Sequence, residues 1–88
     1  MAMIVVEHRF EPALDLSRGL PTPNTLGGPC LPIYEVGWHS TYFAADGTRG
    51  VCVYEAPDAE TVRRAYRAAG ASFVAVWTAH PLHRAKET

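Results

Sequence analysis

The chain has 88 residues, 48% of them hydrophobic and 19% charged, and its formal net charge at pH 7 is −1. This composition is typical of a packed globular domain and excludes a disordered or fibrous chain. The eight basic and nine acidic residues give no excess of positive charge, so we expect neither nucleic acid nor an anionic membrane as a partner.

Length also bounds the organisation and location of the protein. Residues 1–88 have room for a single domain, and at this size folding buries only roughly 60–65% of the surface of the unfolded chain. We therefore expect a second subunit to contribute to stability. No apolar run approaches the roughly 20 residues of a transmembrane helix. The apolar run at the N-terminus is interrupted by Glu7 and is therefore too short for the core of a signal peptide. We expect a cytoplasmic protein.

The first third of the chain contains a predicted strand and a long loop. Residues 3–10 are rich in β-branched side chains and then alternate, which predicts a strand in the centre of a sheet. Residues 11–35 hold five of the seven prolines, and a proline inside a helix costs about 3 kcal/mol. The pattern predicts an ordered proline-rich loop in place of a long first helix, with at most one turn near residues 13–18 and another near residues 30–35.

A β-hairpin is predicted next. Two strand-like runs, residues 36–44 and residues 50–55, flank a short segment that contains Asp46 and Gly47. An Asp-Gly pair between two such runs is a strong hairpin signal. We therefore expect these two strands to pair antiparallel.

The remainder of the domain is predicted to be a helix, a strand and a tail. Pro57 is typical of a helix start, and Gly70 of a helix end. Between them, apolar side chains recur at helical spacing and form one stripe: Val62, Ala65, Tyr66 and Ala69. Residues 72–79 are predicted to form the last strand, and residues 80–88 a polar tail.

The predicted elements follow the order βαββαβ, which is typical of an α+β, ferredoxin-like sandwich with a degenerate first helix. In that layout the first strand of a four-stranded antiparallel sheet lies between the third and the fourth, and the second lies at an edge. Helices cover only one face of the sheet. An apolar opposite face on so small a domain favours a second copy as its cover, so we expect a homodimer.

Part of the sequence resembles a known family. The resemblance covers roughly residues 3–10 and 36–79, and its most specific part is the run Cys52–Asp58, in which a strand leads into a helix. The matching positions are Trp38, Ser40, Tyr42, Asp46, Gly47, the run Cys52–Glu60, Val62, Arg63, Ala69 and Gly70. They resemble the small bacterial domains catalogued as domain of unknown function 4242. The resemblance implies a dimeric ferredoxin-like sandwich that is similar to a cytosolic nickel-binding protein.

The predicted hairpin gathers several polar side chains on one face. Counting back from the turn places His39 opposite Tyr54. The same face then carries Thr41, Phe43 and Cys52. Val51 and Val53, which alternate with them, face the helix. We expect the first strand to run parallel to the third, which brings Glu7 level with Tyr54 on the open face. These positions predict a pocket formed by Glu7, His39 and Tyr54, with Cys52 deeper.

The predicted pocket is compatible with three interpretations. Imidazole, thiolate and carboxylate groups suit nickel, copper or zinc. The same carboxylate, imidazole and phenol could serve as general acid and base on a small organic ligand. Alternatively, Glu7 forms an ion pair with Arg9 or Arg49, and His39 and Tyr54 are hydrogen-bonded residues of a dimer interface.

The other histidines give weaker signals. His80 and His83 follow the last strand, and we expect them at the end of the sheet opposite to His39, where they form a second surface metal site or are simply solvated. His8 alternates onto the helix-covered face, where we expect a hydrogen-bonded core residue. Trp38 and Trp77 are expected to be core or interface aromatics.

The sequence contains no nucleophile motif, phosphate loop or dinucleotide fingerprint, so it identifies no reaction. Our interpretation is a dimer that binds a divalent transition metal, with nickel favoured by the resemblance. The alternative is a dimeric α+β barrel that binds or transforms a small organic molecule over the open face, with the proline-rich loop as a lid. A third possibility is an interaction module whose open face is wholly covered by a partner.

Overall fold

The computed structural model describes residues 1–19, 34–80 and 82. In chain order its elements are β1 (Ala2–Arg9), a 3-10 turn (Leu16–Arg18), β2 (Gly37–Phe43), β3 (Arg49–Ala56), α1 (Ala59–Ala69) and β4 (Ala75–Ala79). The predicted α+β class and four-stranded antiparallel sheet are confirmed. The ferredoxin-like assignment stays a prediction, because most of the loop predicted at residues 11–35 and most of the predicted tail lie outside the described residues. No helix in the described part of the chain is long and apolar enough to cross a membrane.

The strands of the sheet lie in the order β2-β3-β1-β4. β1 pairs antiparallel with both β3 and β4. The prediction that the first and third strands run parallel is therefore wrong. The physical reason is that β1 and β2 point in the same direction, and the hairpin after β2 reverses the chain, so β3 must run against β1.

Helix α1 has well-defined ends and one buried side. The Asp58 side chain accepts a hydrogen bond from the backbone N–H of Thr61 at 2.7 Å, which caps the first turn. Gly70 ends the helix in the left-handed conformation, with φ of 69°. The buried residues of α1 are Val62, Ala65 and Tyr66. They pack on the sheet against Ile4, Val6, Cys52, Tyr54, Ala56 and Val76.

The two faces of β3 are the reverse of the predicted ones. Cys52 and Tyr54 are fully buried in the core on the side of α1, and Val51 and Val53 lie on the open face. The residues of this strand are apolar on both sides, so the two-residue alternation could not show which set faces the helix. The prediction that the valines face α1 is therefore wrong.

A β-bulge interrupts the pairing of β2 with β3. The expected register holds from Phe43 opposite Gly50 back to Ser40 opposite Val53, but Trp38 then lies opposite Tyr54. His39 is the extra residue, so the prediction that it lies directly opposite Tyr54 is wrong. The bulge brings Trp38 onto the side of α1, where its indole N–H donates to the hydroxyl of Thr41 at 2.8 Å.

The hairpin turn also anchors the segment that follows β1. Gly47 donates its backbone N–H to the carbonyl of Ala44 at 2.9 Å, and its own carbonyl accepts from the N–H of Leu14 at 2.9 Å. The φ of Gly47 is 75°, and a Cβ at this position would overlap the carbonyl oxygen of Leu14. A glycine is therefore required at this point of the turn.

Candidate functional site

The sheet separates the residues that the sequence predicted to share a pocket. Glu7 lies on the open face, where it pairs with Val51 of β3. Cys52 and Tyr54 lie on the opposite face of the same sheet and are fully buried beneath α1. The predicted arrangement of one carboxylate, one thiol and one phenol in a common pocket is therefore wrong.

The predicted histidine ligands are also apart from Glu7. Glu7 pairs with Val51 of β3, and Val51 pairs with Tyr42 of β2, so these three residues form one row across the sheet. His39 precedes Tyr42 by three residues and therefore lies about 10 Å from this row along the strand direction. His39 is exposed, and its Nδ1 forms a 3.0 Å hydrogen bond with the hydroxyl of Ser40. Parallel pairing of β1 with β3 was the assumption that made Glu7 and His39 appear close.

His80 was predicted at the end of the sheet opposite to His39, and this is wrong. Pairing across the sheet aligns Trp38 of β2 with Thr78 of β4. His39 directly follows Trp38, and His80 lies two residues after Thr78. The two histidines thus lie at the same end of the sheet but at opposite edges. The other predicted tail ligand, His83, lies outside the described residues. Within residues 1–19, 34–80 and 82, no three His, Cys, Asp or Glu side chains gather closely enough to hold a metal ion.

The open face of the sheet is apolar at its centre. Val5 of β1 pairs with Val53 of β3 on one side and with Trp77 of β4 on the other. In the next row, Val51 lies between Glu7 and Tyr42. Trp77 is 45% exposed and Tyr42 is 64% exposed, so two large aromatic side chains of this face are open to solvent in the single chain.

Glu7 is bound to a tryptophan on this face. The indole N–H of Trp77 donates to Oε2 of Glu7 at 2.6 Å, a charge-assisted hydrogen bond. The alternative that Glu7 forms an ion pair with Arg9 or Arg49 is not observed. The bond fixes the indole over the apolar centre and occupies one oxygen of the carboxylate.

A groove of about 290 Å³ lies at the hairpin end of the open face. The lining residues with side chains on this face are Glu7, Tyr42, Arg49 and Val51. The rest of the lining comes from His8, Phe43, Ala44 and Gly50. A second, more polar cleft of about 420 Å³ lies on the other side of Arg49. Arg49 therefore borders two adjoining concavities, and neither was predicted from the sequence.

The core beneath α1 contains a hydrogen-bonded polar network. The hydroxyls of Tyr54 and Tyr66 share a 2.6 Å hydrogen bond, and the Tyr66 hydroxyl also contacts Nε2 of His8 at 3.2 Å. In a separate pair of contacts, the hydroxyl of Thr41 donates to Sγ of Cys52 at 3.3 Å and accepts from the indole N–H of Trp38. Cys52 and Tyr54, predicted as metal ligands, are thus buried and hydrogen-bonded within the core.

Burial controls the ionisation of this network. Removal from water raises the pKa of both tyrosine hydroxyls, Tyr54 and Tyr66, because it disfavours the phenolate. The same effect lowers the pKa of His8, partly offset by a hydrogen bond with the backbone of Ser72. At neutral pH the network is therefore uncharged. The expectation that His8 is a hydrogen-bonded core residue is confirmed.

Similarity to known proteins points to one family. Residues 26–78 match the family model described as nickel responsive protein SCO4226-like. The crystal structure of SCO4226 from Streptomyces coelicolor A3(2) matches with a TM-score of 0.67 at 19% sequence identity, covering 94% of this chain and 100% of that chain. At this identity the likeness shows the fold alone. No curated protein matches the chain significantly. The family description shares the link to nickel with the resemblance seen in the sequence, but it says nickel responsive rather than nickel-binding and does not carry the label domain of unknown function 4242.

Proposed function

Because the chain belongs to the SCO4226-like family of nickel responsive proteins, we propose that it is a nickel-binding homodimer whose subunits meet through the open faces of their sheets. The observation that supports the dimer is the apolar centre of that face, with Val5, Val53 and Trp77 in one row and no charged side chain among them. A twofold axis through this row would bring identical apolar patches together. For a domain of this size, burial of such a patch adds substantially to a small core.

The described residues of one subunit do not fit a nickel ion on their own, since they offer no group of three suitable ligands. The proposed site therefore needs a second copy or residues outside the described part of the chain, such as His83. Nickel is commonly bound by imidazole nitrogen, thiolate and carboxylate. Cys52 is excluded from the proposal because it is fully buried beneath α1, where its sulfur accepts a hydrogen bond from Thr41.

Among the predicted ligands, His39 is the best placed. It is exposed on the bulge, and Ser40 binds its Nδ1, so its Nε2 has no hydrogen-bond partner in the described chain. Histidines that bind metals usually have the other ring nitrogen held in this way, because that contact fixes the ring and the tautomer. We therefore propose that Nε2 of His39 is a nickel ligand.

The experiment is a thermal melt of the tag-free protein with and without excess nickel, combined with elemental analysis and a mass measurement in solution. We expect nickel to raise the melting temperature, because an ion that binds only the folded state stabilises that state. At a free nickel concentration of 100 times the Kd, the stabilisation is about 2.7 kcal/mol. His39→Ala should lose this shift. His80→Ala, which removes an exposed histidine at the opposite edge of the sheet, should retain it.

Three results would contradict this proposal. A wild-type protein that binds no nickel would reject the metal, and a monomeric mass with and without nickel would reject the dimer. A shift that is lost in His80→Ala but kept in His39→Ala would move the site to the chain segment after β4.

A further inference from the structure

We propose that the hairpin end of the open face binds a small organic acid, with its carboxylate between Arg9 and Arg49 and its apolar body in the groove beside Tyr42 and Val51. This site is separate from the proposed nickel ligand, and its chemistry is opposite, since two guanidinium groups repel a cation.

The first observation is the position of the two arginines. Arg9 and Arg49 are directly paired across β1 and β3, and both are exposed. The Cα atoms of such a pair are about 4.5–5.5 Å apart. Like charges directly opposite each other on neighbouring strands destabilise a sheet. An anion bound between the two guanidinium groups would remove this repulsion.

The second observation is that neither arginine forms an ion pair with a carboxylate in the described residues. In the described part of the chain, neither Arg9 nor Arg49 has a carboxylate within 4.0 Å, and the ion pairs formed by arginines belong to Arg63 and Arg67 on α1. Glu7 accepts its hydrogen bond from Trp77 instead. Glu11 lines the same cleft as the two arginines, and Asp46 lies near Arg49, but neither forms an ion pair with them.

The third observation is the shape of the surface around the pair. Arg9 and Arg49 both line the polar cleft of about 420 Å³, and Arg49 also borders the groove of about 290 Å³. A carboxylate in the cleft can meet both guanidinium groups, each of which presents a planar fork that matches two carboxylate oxygens.

The groove favours an organic acid over a free inorganic anion. Its lining includes Tyr42 and Val51, whose side chains lie on the open face and suit an apolar body next to the charged group. Its volume is at the lower limit of the roughly 300–1,000 Å³ typical of small-molecule sites. We therefore expect a ligand of about the size of one substituted ring.

The test is a titration of the ¹⁵N-labelled protein followed by NMR, with three probes: benzoate, its neutral analogue benzyl alcohol, and inorganic phosphate. We expect benzoate to cause saturable shifts at the amides of Arg9, Arg49, Gly50 and Val51. Benzyl alcohol should bind at least about tenfold more weakly, because it lacks the charge-assisted hydrogen bonds.

Matched variants assign the effect to the arginine pair. Arg9→Gln and Arg49→Gln should each weaken benzoate binding about tenfold or more. Arg67→Gln removes the same charge from an arginine of α1, on the other face of the sheet, and should leave benzoate binding unchanged.

Several outcomes would overturn the proposal. These are equal binding of benzoate and benzyl alcohol, unchanged affinity in Arg9→Gln or Arg49→Gln, or no saturable shift with benzoate. Phosphate that binds more tightly than benzoate, without shifts at Tyr42 and Val51, would reject the organic acid. Nickel-induced melting shifts and solution masses recorded on the same samples separate this failure from a failure of the proposed nickel-binding dimer.

Discussion

At the scale of single residues, the hydroxyl of Tyr66 connects three elements of the core. It extends from α1 to Tyr54 on β3 and to His8 on β1. The tyrosine ring packs edge-on against the rings of Tyr54 and Phe73. No buried side-chain nitrogen or oxygen in the described chain lacks a hydrogen-bond partner. Such a network is stable only while its members keep their protonation states, because a charge in this position would have no counterion.

His8 makes this network sensitive to acid. Burial holds the pKa of His8 below its ordinary value of 6.5, so the unfolded chain takes up the proton at a higher pH than the folded protein. Below about pH 6.5 the unfolded state therefore binds more protons, and the free energy of unfolding falls as pH decreases. The full stabilisation is present above this pH.

We predict that the free energy of unfolding, measured by urea denaturation, decreases between pH 7 and pH 5 by up to about 1.4 kcal/mol per pH unit. His8→Gln should remove most of this slope, whatever its own stability, and His39→Gln on the exposed bulge should retain it. The carboxyls of Asp15, Asp46 and Asp58 have pKa values lowered from 3.8 and titrate in a more acidic range. An unchanged slope in His8→Gln would show that other groups cause the acid sensitivity.

At the scale of elements, the hairpin turn fastens the chain after β1 to the sheet. The backbone of Leu14 lies directly over Gly47, so this contact excludes any side chain at residue 47. Asp46 supports the same turn by accepting hydrogen bonds from both the backbone and the hydroxyl of Thr48. The turn therefore positions both β3 and the segment that follows β1.

We predict that Gly47→Ala destabilises the protein by about 1–3 kcal/mol more than Gly70→Ala, measured by urea unfolding. Both glycines have similar positive φ values, 75° and 69°, so both variants carry the left-handed backbone penalty of about 1–2 kcal/mol. Only residue 47 has backbone atoms in the space that a Cβ would occupy. Equal destabilisation would mean that Leu14 moves away without cost.

The elements themselves were largely predictable from the sequence, because their signals are local. The hairpin follows from Asp46 and Gly47, and the helix from its capping residues and apolar stripe. The candidate site was only partly predictable. The direction of β3 against β1 follows from the predicted antiparallel sheet, so the parallel pairing assumed for the pocket was inconsistent with that layout. The face of β3 and the bulge at His39 have no local signal, because β3 is apolar on both faces and the residues around His39 do not indicate an extra residue.

At the scale of the whole molecule, the domain has one covered and one uncovered face. α1 covers the side of Tyr54, whereas on the other side Val53 and Trp77 remain partly exposed next to the nearly buried Val5 in the single chain. The proposed nickel site, the proposed acid site and the proposed dimer all involve the uncovered side or its margins. Of the three, the proposed nickel site and the proposed dimer are linked most closely, because the described residues of one subunit offer no group of three metal ligands.

We predict that Val53→Glu prevents formation of the proposed dimer, because each subunit would place an unpaired carboxylate at the centre of the proposed interface. Ala68→Glu introduces the same side chain at an exposed position of α1 and should leave the dimer intact. Sedimentation analysis should show half the wild-type mass for Val53→Glu alone. The melting temperature of the wild type should rise with protein concentration, as mass action requires for a dimer, and that of Val53→Glu should not. A folded Val53→Glu variant that keeps a dimeric wild-type mass would show that the subunits associate through a surface other than the row of Val5, Val53 and Trp77.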